Sequence, residues 1–385
     1  MHGNEAMGQT KIDRVGSARW LAMVALLAGA IAGADGVKDE VKFDHYLPSK
    51  WNTVSPGVYG SEYAPVLRIA SGDVVKIDIA NTSGLRNNGD PRKFFVENGI
   101  SLDLPVVKDL IEIREKTPNH PQGLRGALLT GPIYVEGAEP GDTLEVRVHD
   151  VRFRAPYGVN STSPGGGHPL ADIVPRPWTH KFDIDIARNV AIFKPGEIEL
   201  PLAPFMGQMG VAPPANAGSF GAGPPTPLHG GNFDLQELSR GGTLYLPVNV
   251  PGALFFTGNG HALQGNGEIT NPSLEVSLTG YFQFIVHKNV RLAMPRVETP
   301  THYIFLGMHD SLDEAVRQAT LETVKFVQAK EKLDFYDAYA LTSSSVDFTV
   351  ARALLPSQMV YSFLPKHVFS EKSSYWYQGP VPTKY

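Results

Sequence analysis

Between residues 65 and 290 apolar positions recur with a period of two. Val75, Ile77 and Ile79 alternate in "PVLRIASGDVVKIDIAN", and Leu144, Val146 and Val148 in "GDTLEVRVHDVRF". Leu244, Leu246 and Val248 do so in "GTLYLPVNV", and "SLEVSLTGYFQFIVHK" adds β-branched and aromatic residues. Successive side chains of a strand point to opposite faces. Runs of this kind, cut by Gly, Pro, Asn and Asp clusters, predict many short strands with one face on a core. Near the C-terminus the period changes. "SLDEAVRQATLETVKFVQAKEKL" puts Leu312, Ala315, Val316, Ala319 and Val327 at helical spacing, and Ser311 with Glu314 makes a capping box. "DFYDAYALTSSSVDFTVARAL" reads as a second helix running towards a strand. The pattern predicts a mainly β protein, with a sandwich-like body over 40–300 and a helical hairpin over 311–345.

Two stretches show neither period. Residues 155–178 include "SPGGGHPLADIVPRPW", and 204–231 read "PFMGQMGVAPPANAGSFGAGPPTPLHGG". Both are expected to be long loops, and loops of such length in a compact domain are often functional. "PFMGQMGVAPP" is apolar enough that the first half of the second stretch should be packed. No internal repeat of fixed period is present.

The N-terminal stretch alters the picture of compartment. Lys11, Arg14 and Arg19 precede the 15 apolar residues of "WLAMVALLAGAIAGA". That length suits a signal-peptide core and is short for a membrane span. Ala32-Gly33-Ala34 puts small residues ahead of a cut before Asp35. Residues 1–34 are therefore expected to be a signal peptide and 35–385 the mature chain. The mature protein would be periplasmic or secreted, with no stable membrane insertion after cleavage. A formal charge of −5 offers no basic footprint for nucleic acid. With no cysteine among 385 residues, disulfides, a Cys nucleophile and thiolate metal ligands are all excluded.

Candidate chemistry gathers in "GNGHALQGNGEI", residues 258–269, where four glycines frame His261, Gln264, Glu268, Asn259 and Asn266. Glycine adopts angles that other residues resist and lets backbone approach a bound group closely. The stretch reads as a ligand-binding loop or as a tight strand connection. "TSSSVDF" carries Ser343 to Ser345 but no glycine frame, so these serines read as a small polar packing surface on a helix.

Five blocks closely resemble the acetamidase/formamidase family of linear amide hydrolases. They are "LLTGPIYVEGAEPGDTLEVRVHDV" (128–151), "LPLAPFMGQMGVAPP" (200–214), "HGGNFDLQEL" (229–238), "GGTLYLPVNVPGALFFTGNGHALQGNGEI" (241–269) and "RVETPTHYIFLG" (296–307). The likeness runs from about residue 45 to the C-terminus. It implies a jelly-roll-like β-sandwich with a smaller α/β portion, assembled as a homodimer or larger homo-oligomer. The implied reaction is hydrolysis of a small amide to a carboxylate and ammonia. The family pattern G-D-G-H-A-x-Q-G-D-G-E meets Asn259 and Asn266 here in place of both aspartates. Leu235-Gln236 stands where the family often has Asn-Arg or Asn-Lys, and residues 96–126 look longer and less regular than the pattern.

Amide hydrolysis needs an activated water or nucleophile, oxyanion stabilisation and a proton for the leaving nitrogen. Without cysteine, metal-assisted hydrolysis is the reading that remains. Asp234, His261 and Glu268 offer O, N and O donors for a divalent metal, and the same three are the candidate catalytic residues. One His and two carboxylates suit zinc better than calcium. Glu268 is a ligand or the general base. Asn232, Gln264, Asn259 and His229 are candidates to bind the substrate amide. His302 and His168 are weighed as pocket or lid residues against simple structural roles. Tyr134, Glu136 and Glu139 sit in turn-rich sequence and read as scaffold. Two alternatives stay open: an exported hydrolase for a larger amide, and a non-catalytic periplasmic small-molecule-binding protein on the same fold. Ammonia release from small amides separates them.

Overall fold

The alternating runs become the strands of two sheets. The computed structural model describes residues 41–82, 90–117, 127–370 and 374–380. They belong to the compact unit Val41–Tyr385. The expected signal peptide, 1–34, lies outside the described residues. Among the described residues, one sheet has nine strands in the order His45–Leu47, Val74–Asp78, Leu278–His287, Thr143–Phe153, Thr243–Pro247, Arg296–Glu298, His302–His309, Gln358–Pro365 and Asp347–Arg352. The other has eleven, and its path runs through Leu274–Glu275, Phe255–Leu263 and Phe205–Gly210 to end at Gly230–Asn232, with Leu129–Val135 also paired to Phe255–Leu263.

The sheets pack face to face. Val146, Leu244, Leu246 and Phe282 of the first meet Met206, Met209, Phe255 and Ala262 of the second in one buried core. Phe255 and Phe284 meet edge to face across it at 5.0 Å. Each such side chain contributes about 1.5–3 kcal/mol through loss of apolar surface to water. This is the jelly-roll-like β-sandwich. The smaller α/β portion is built on one end of the nine-stranded sheet. Helices Leu312–Glu331 and Phe335–Ser345 form the hairpin, each capped by the side chain before it, Ser311 and Asp334. Ala315 and Ala319 rest on Val360, while Val324, Val327 and Ala338 meet Phe305 and Leu364. The helix lies so close that a Cβ on Gly307 would strike the Ala315 carbonyl.

Three sequence expectations are corrected. Strands continue past 300, at His302–His309, Asp347–Arg352 and Gln358–Pro365, and the helical hairpin is inserted between them. Neither irregular stretch is one long loop: Tyr157–Thr162 is a strand within 155–178, and Phe205–Gly210 is an interior strand within 204–231. All six of its residues are buried, so no alternation marked it. Its apolar first half is packed, as the composition required. Within 96–126, which looked irregular, Pro105–Lys116 is a helix, and with the helix Pro91–Glu97 just before that segment it brings Phe95, Val107, Leu110 and Ile113 into a second small core. Proline at each first turn supplies the helix start.

Candidate active site

His261 lies in the middle of a strand. Phe255–Leu263 is continuous through it, paired with Phe205 on one side and Glu275 on the other. The flexible loop expected over 258–269 therefore begins only after Leu263. The first two glycines serve close packing: a Cβ on Gly260 would lie 2.5 Å from the Val276 carbonyl oxygen, and one on Gly258 would strike the Leu128 carbonyl. The turn proper carries Gly267 at φ 101° and Glu268 at φ 46°. Gly267 bonds to Ala351 and Ala353 of the neighbouring chain segment, which fixes the turn. Asp234 follows the strand Gly230–Asn232, and its N–H bonds to the Gly207 carbonyl at 3.0 Å. Asp234, Asn259 and Glu268 all hold left-handed backbone, φ 48°, 52° and 46°. Such strained residues persist where the surroundings over-determine them, and they gather at functional sites.

Three separate elements thus deliver Asp234, His261 and Glu268 to one point. One ligand-type atom of each lies within 4.8 Å of the others, and all three residues are buried. His261 Nδ1 is 3.9 Å from Asp234 Oδ1, and Nε2 is 3.4 Å from Glu268 Oε1. The imidazole stacks on Phe205 at 5.0 Å. Asp234 accepts from Asn232 Nδ2 at 2.7 Å and from Asn259 Nδ2 at 3.1 Å, and Gln264 Nε2 donates to its backbone carbonyl at 2.6 Å. Arg352 Nε stands 3.5 Å from Asp234 Oδ2 and 3.6 Å from Glu268 Oε2. Each carboxylate therefore shows one oxygen to His261 and the other to Arg352. A cavity of about 240 Å³ opens on this cluster, with Glu268, Asn232, Asn259, Gln208 and Arg352 in its wall.

The two acids are driven apart electrostatically. Burial and the facing charge of Glu268 hold Asp234 well above the usual carboxylate range. Burial acts on Glu268 too, but His261 and Arg352 outweigh it and its carboxyl sits below the usual value. Burial alone would lower His261, yet Glu268 and Asp234 outweigh it and raise its pKa. One acid thus favours its proton and the other its charge.

The Acetamidase/Formamidase family matches this chain over residues 124–219 and 215–371. The chain belongs to the acetamidase/formamidase family. A formamidase of Methylophilus methylotrophus is 29% identical over 255 residues, which are 50% of this chain and 62% of that protein. A Schizosaccharomyces pombe relative is 29% identical over 193 residues, 37% of this chain and 47% of its own length. The chain thus spans about half to three-fifths of the curated relatives it matches. An acetamidase from Bacillus halodurans shares its fold with a TM-score of 0.69 at 27% identity, covering 84% of this chain and 98% of that one. A structure from Thermoanaerobacter tengcongensis described as an acetamidase/formamidase matches at TM-score 0.69 and 25% identity, covering 84% and 96%.

The two departures from the family's glycine-rich pattern now separate. Asn259 faces the cluster, spanning Asp234 and Asn232 at 3.1 Å each. Asn266 turns away, accepting from Gln236 at 2.7 Å and Tyr361 at 3.2 Å. Asn232 and Gln264 hold Asp234 in place. His229 lies outside the cavity wall, packed on Tyr59 at 4.9 Å and Phe220 at 5.0 Å. His302 pairs with Thr301 and the Phe363 ring, away from the cluster. His168 bonds to the Ser163 carbonyl at 3.0 Å, and the loop that holds it braces the cavity rim through Gly167 and Leu355. Ser344 and Ser345 bond back to their own helix at 2.8 and 2.7 Å. Tyr134 and Glu136 are engaged with Arg68, at 4.0 Å from the ring and 3.1 Å from the carboxylate.

Arg352 was not legible as a site residue. It ends the strand Asp347–Arg352, in the stretch read as a helix running towards a strand, and nothing local distinguishes it from a surface arginine. Only a strand pattern extended past the hairpin would have shown that its position is buried.

The donor set fits a small divalent cation. Both His261 nitrogens and Glu268 Oε2 are buried without a hydrogen-bond partner, an expensive state unless something else engages them. Glycine at 207 keeps the centre open, since a Cβ there would lie 2.8 Å from His261 Nδ1 and against Asp234 Oδ1.

Proposed function

We propose that this protein hydrolyses small linear amides, of formamide or acetamide size, to a carboxylate and ammonia. The observation that carries this reading is His261, buried and unpartnered at both nitrogens, facing Asp234 and Glu268 beside a cavity of about 240 Å³. That volume falls below the range of drug-sized ligand pockets, roughly 300–1,000 Å³, which supports a substrate of few atoms. Membership of the family and the names of its relatives support the same reaction class.

Asp234, His261 and Glu268 would hold the metal, and one nitrogen with two carboxylates favours zinc over calcium. When bound, such a cation supplies Lewis acidity that brings the pKa of water towards neutrality. The protein groups do the rest. Glu268 Oε2 takes a proton as water adds to the amide carbon, forming the C–O bond and moving the C=O electron pair onto oxygen. That pair then re-forms the carbonyl, the C–N bond breaks, and Glu268 returns its proton to the nitrogen. Ammonia leaves with the acid, and Glu268 is again ionised, in keeping with its lowered pKa. Asn232, Asn259 and Gln264 keep Asp234 in register with His261.

Export is the second part of this reading, resting on the basic start, the apolar stretch and Ala32-Gly33-Ala34. Mature protein from its host should begin at or near Asp35, and peptides covering 20–34 in the exported fraction would refute it. The activity is tested by ammonia release from formamide, acetamide and propionamide, with metal content measured on the same preparation. Turnover that disappears with the metal and returns on adding it back is the expected result. A metal-free protein with full turnover would overturn the metal. No ammonia from any amide, together with a small amide that raises the melting temperature, would favour the non-catalytic binding protein.

A further inference from the structure

We propose that Arg352 is the group that draws charge onto the substrate's carbonyl oxygen; the inference rests on the amidase reading above. Among the described residues of the cavity wall, Arg352 is the sole cation. It is 7% exposed, and its Nε is buried without a hydrogen-bond partner. Nη1 donates to the Asn232 carbonyl at 3.1 Å, which anchors one end of the guanidinium. The backbone beneath is fixed by pairing of Arg352 with Met359. Its Nε lies 3.5 and 3.6 Å from Asp234 and Glu268, too far to spend the N–H in a good hydrogen bond.

The carboxamide groups around Asp234 are already engaged in holding the site together. Asn259 Nδ2 reaches two acceptors at 3.1 Å, Asn232 Nδ2 holds Asp234 at 2.7 Å, and Gln264 Nε2 holds the Asp234 carbonyl at 2.6 Å. Gln208 Nε2 is given to the Ala222 carbonyl at 3.2 Å. Turning Asn259 to a substrate oxygen would give up its bond to Asn232 or to Asp234. Arg352 Nε is a donor that no protein acceptor has taken, on a guanidinium in the cavity wall where the oxyanion would develop. A preorganised donor at such a position stabilises the transition state more than the ground state.

The test compares parent, Arg352→Lys, Arg352→Gln and Arg352→Ala, all checked for unchanged melting temperature and metal content. Steady-state kinetics use acetamide, and calorimetry uses methylphosphonate, a tetrahedral anion of acetamide's size. The glutamine variant should lose about 100- to 1,000-fold in kcat, the cost of deleting one oxyanion donor, with KM little changed. It should lose methylphosphonate binding in parallel, and lysine should fall between parent and glutamine. Methylguanidinium, below denaturing concentrations, should restore part of the alanine variant's turnover. An unchanged kcat in Arg352→Gln overturns the proposal. So does a lowered kcat with methylphosphonate binding intact and no rescue, which would make Arg352 a brace for Asn232 and Asp234. A parent inactive on every amide fails the amidase reading instead. Methylphosphonate binding lost in Arg352→Gln would then still assign the anion site to Arg352.

Discussion

At His261 burial and charge pull in opposite directions, and charge prevails because two carboxylates face one ring. Glu268 is the partner whose proton chemistry can be isolated by a single substitution. Glu268→Gln keeps the shape and removes the base, so kcat should fall by about 100- to 10,000-fold while circular dichroism is unchanged. Asn259 offers a second handle. Its Nδ2 donates to Asp234 Oδ1 at 3.1 Å, and an aspartate there would set carboxylate against carboxylate. Asn259→Asp should therefore melt lower than the parent in chelator, and the gap should close or reverse with added zinc. A gap indifferent to zinc would contradict a cation at this cluster. His229 reports on stability. Burial lowers its pKa from 6.5 to about 4. Above 6.5 neither folded nor unfolded His229 holds a proton, so it contributes no pH slope there. Between 6.5 and 4 the unfolded chain takes up a proton that the folded one refuses, so stability falls as pH falls, by about 1.4 kcal/mol per unit at most. His229→Gln should flatten that part of a melting-temperature profile, measured with and without the substitution.

Among the elements, Phe205–Gly210 decides most about the site. It pairs with both Phe255–Leu263 and Gly230–Asn232, so it spaces the strand of His261 from the chain that leads to Asp234. Gly207 lies where those two side chains meet. Gly207→Ala should cost metal and methylphosphonate binding and lower the melting temperature, because a methyl group is forced between buried polar atoms whose backbone cannot retreat. An alanine variant that binds and melts like the parent would show that the centre has slack. The glycines of 258–269 divide in the same physical terms. Gly258 and Gly260 admit neighbouring backbone, whereas Gly267 supplies a left-handed angle at the turn. From sequence all three look alike, since composition does not distinguish close approach from conformational freedom.

For the whole molecule, the outer face of the hairpin bears Phe335, Tyr336 and Tyr339, exposed by 47%, 81% and 50%. Apolar surface of this kind on a soluble protein commonly marks an interface. Sedimentation should therefore find a dimer or larger assembly, and Tyr336→Glu with Tyr339→Glu should reduce its mass; an unchanged mass would remove this face from the interface. Parts whose physics is local could be read directly along the chain. Alternating strands such as Thr143–Phe153 have one face on the core, and the hairpin carries its own caps and stripe, so both were legible in the order of residues. His261, Asp234 and Glu268 were legible as types of donor held in unusual glycine-rich frames. The remainder depends on contacts between distant segments. Phe205–Gly210 is buried on both faces and so lacked a period. The helix Pro105–Lys116 lay in a segment that looked irregular, although it repeats its apolar residues. Arg352 became a site residue only when the strand beyond the hairpin returned beside the turn of Glu268, joined through Gly267. Convergence of residues 234, 261, 268 and 352 on one buried point depends on sheet pairing between distant segments, and no short-range pattern encodes which strands will be neighbours.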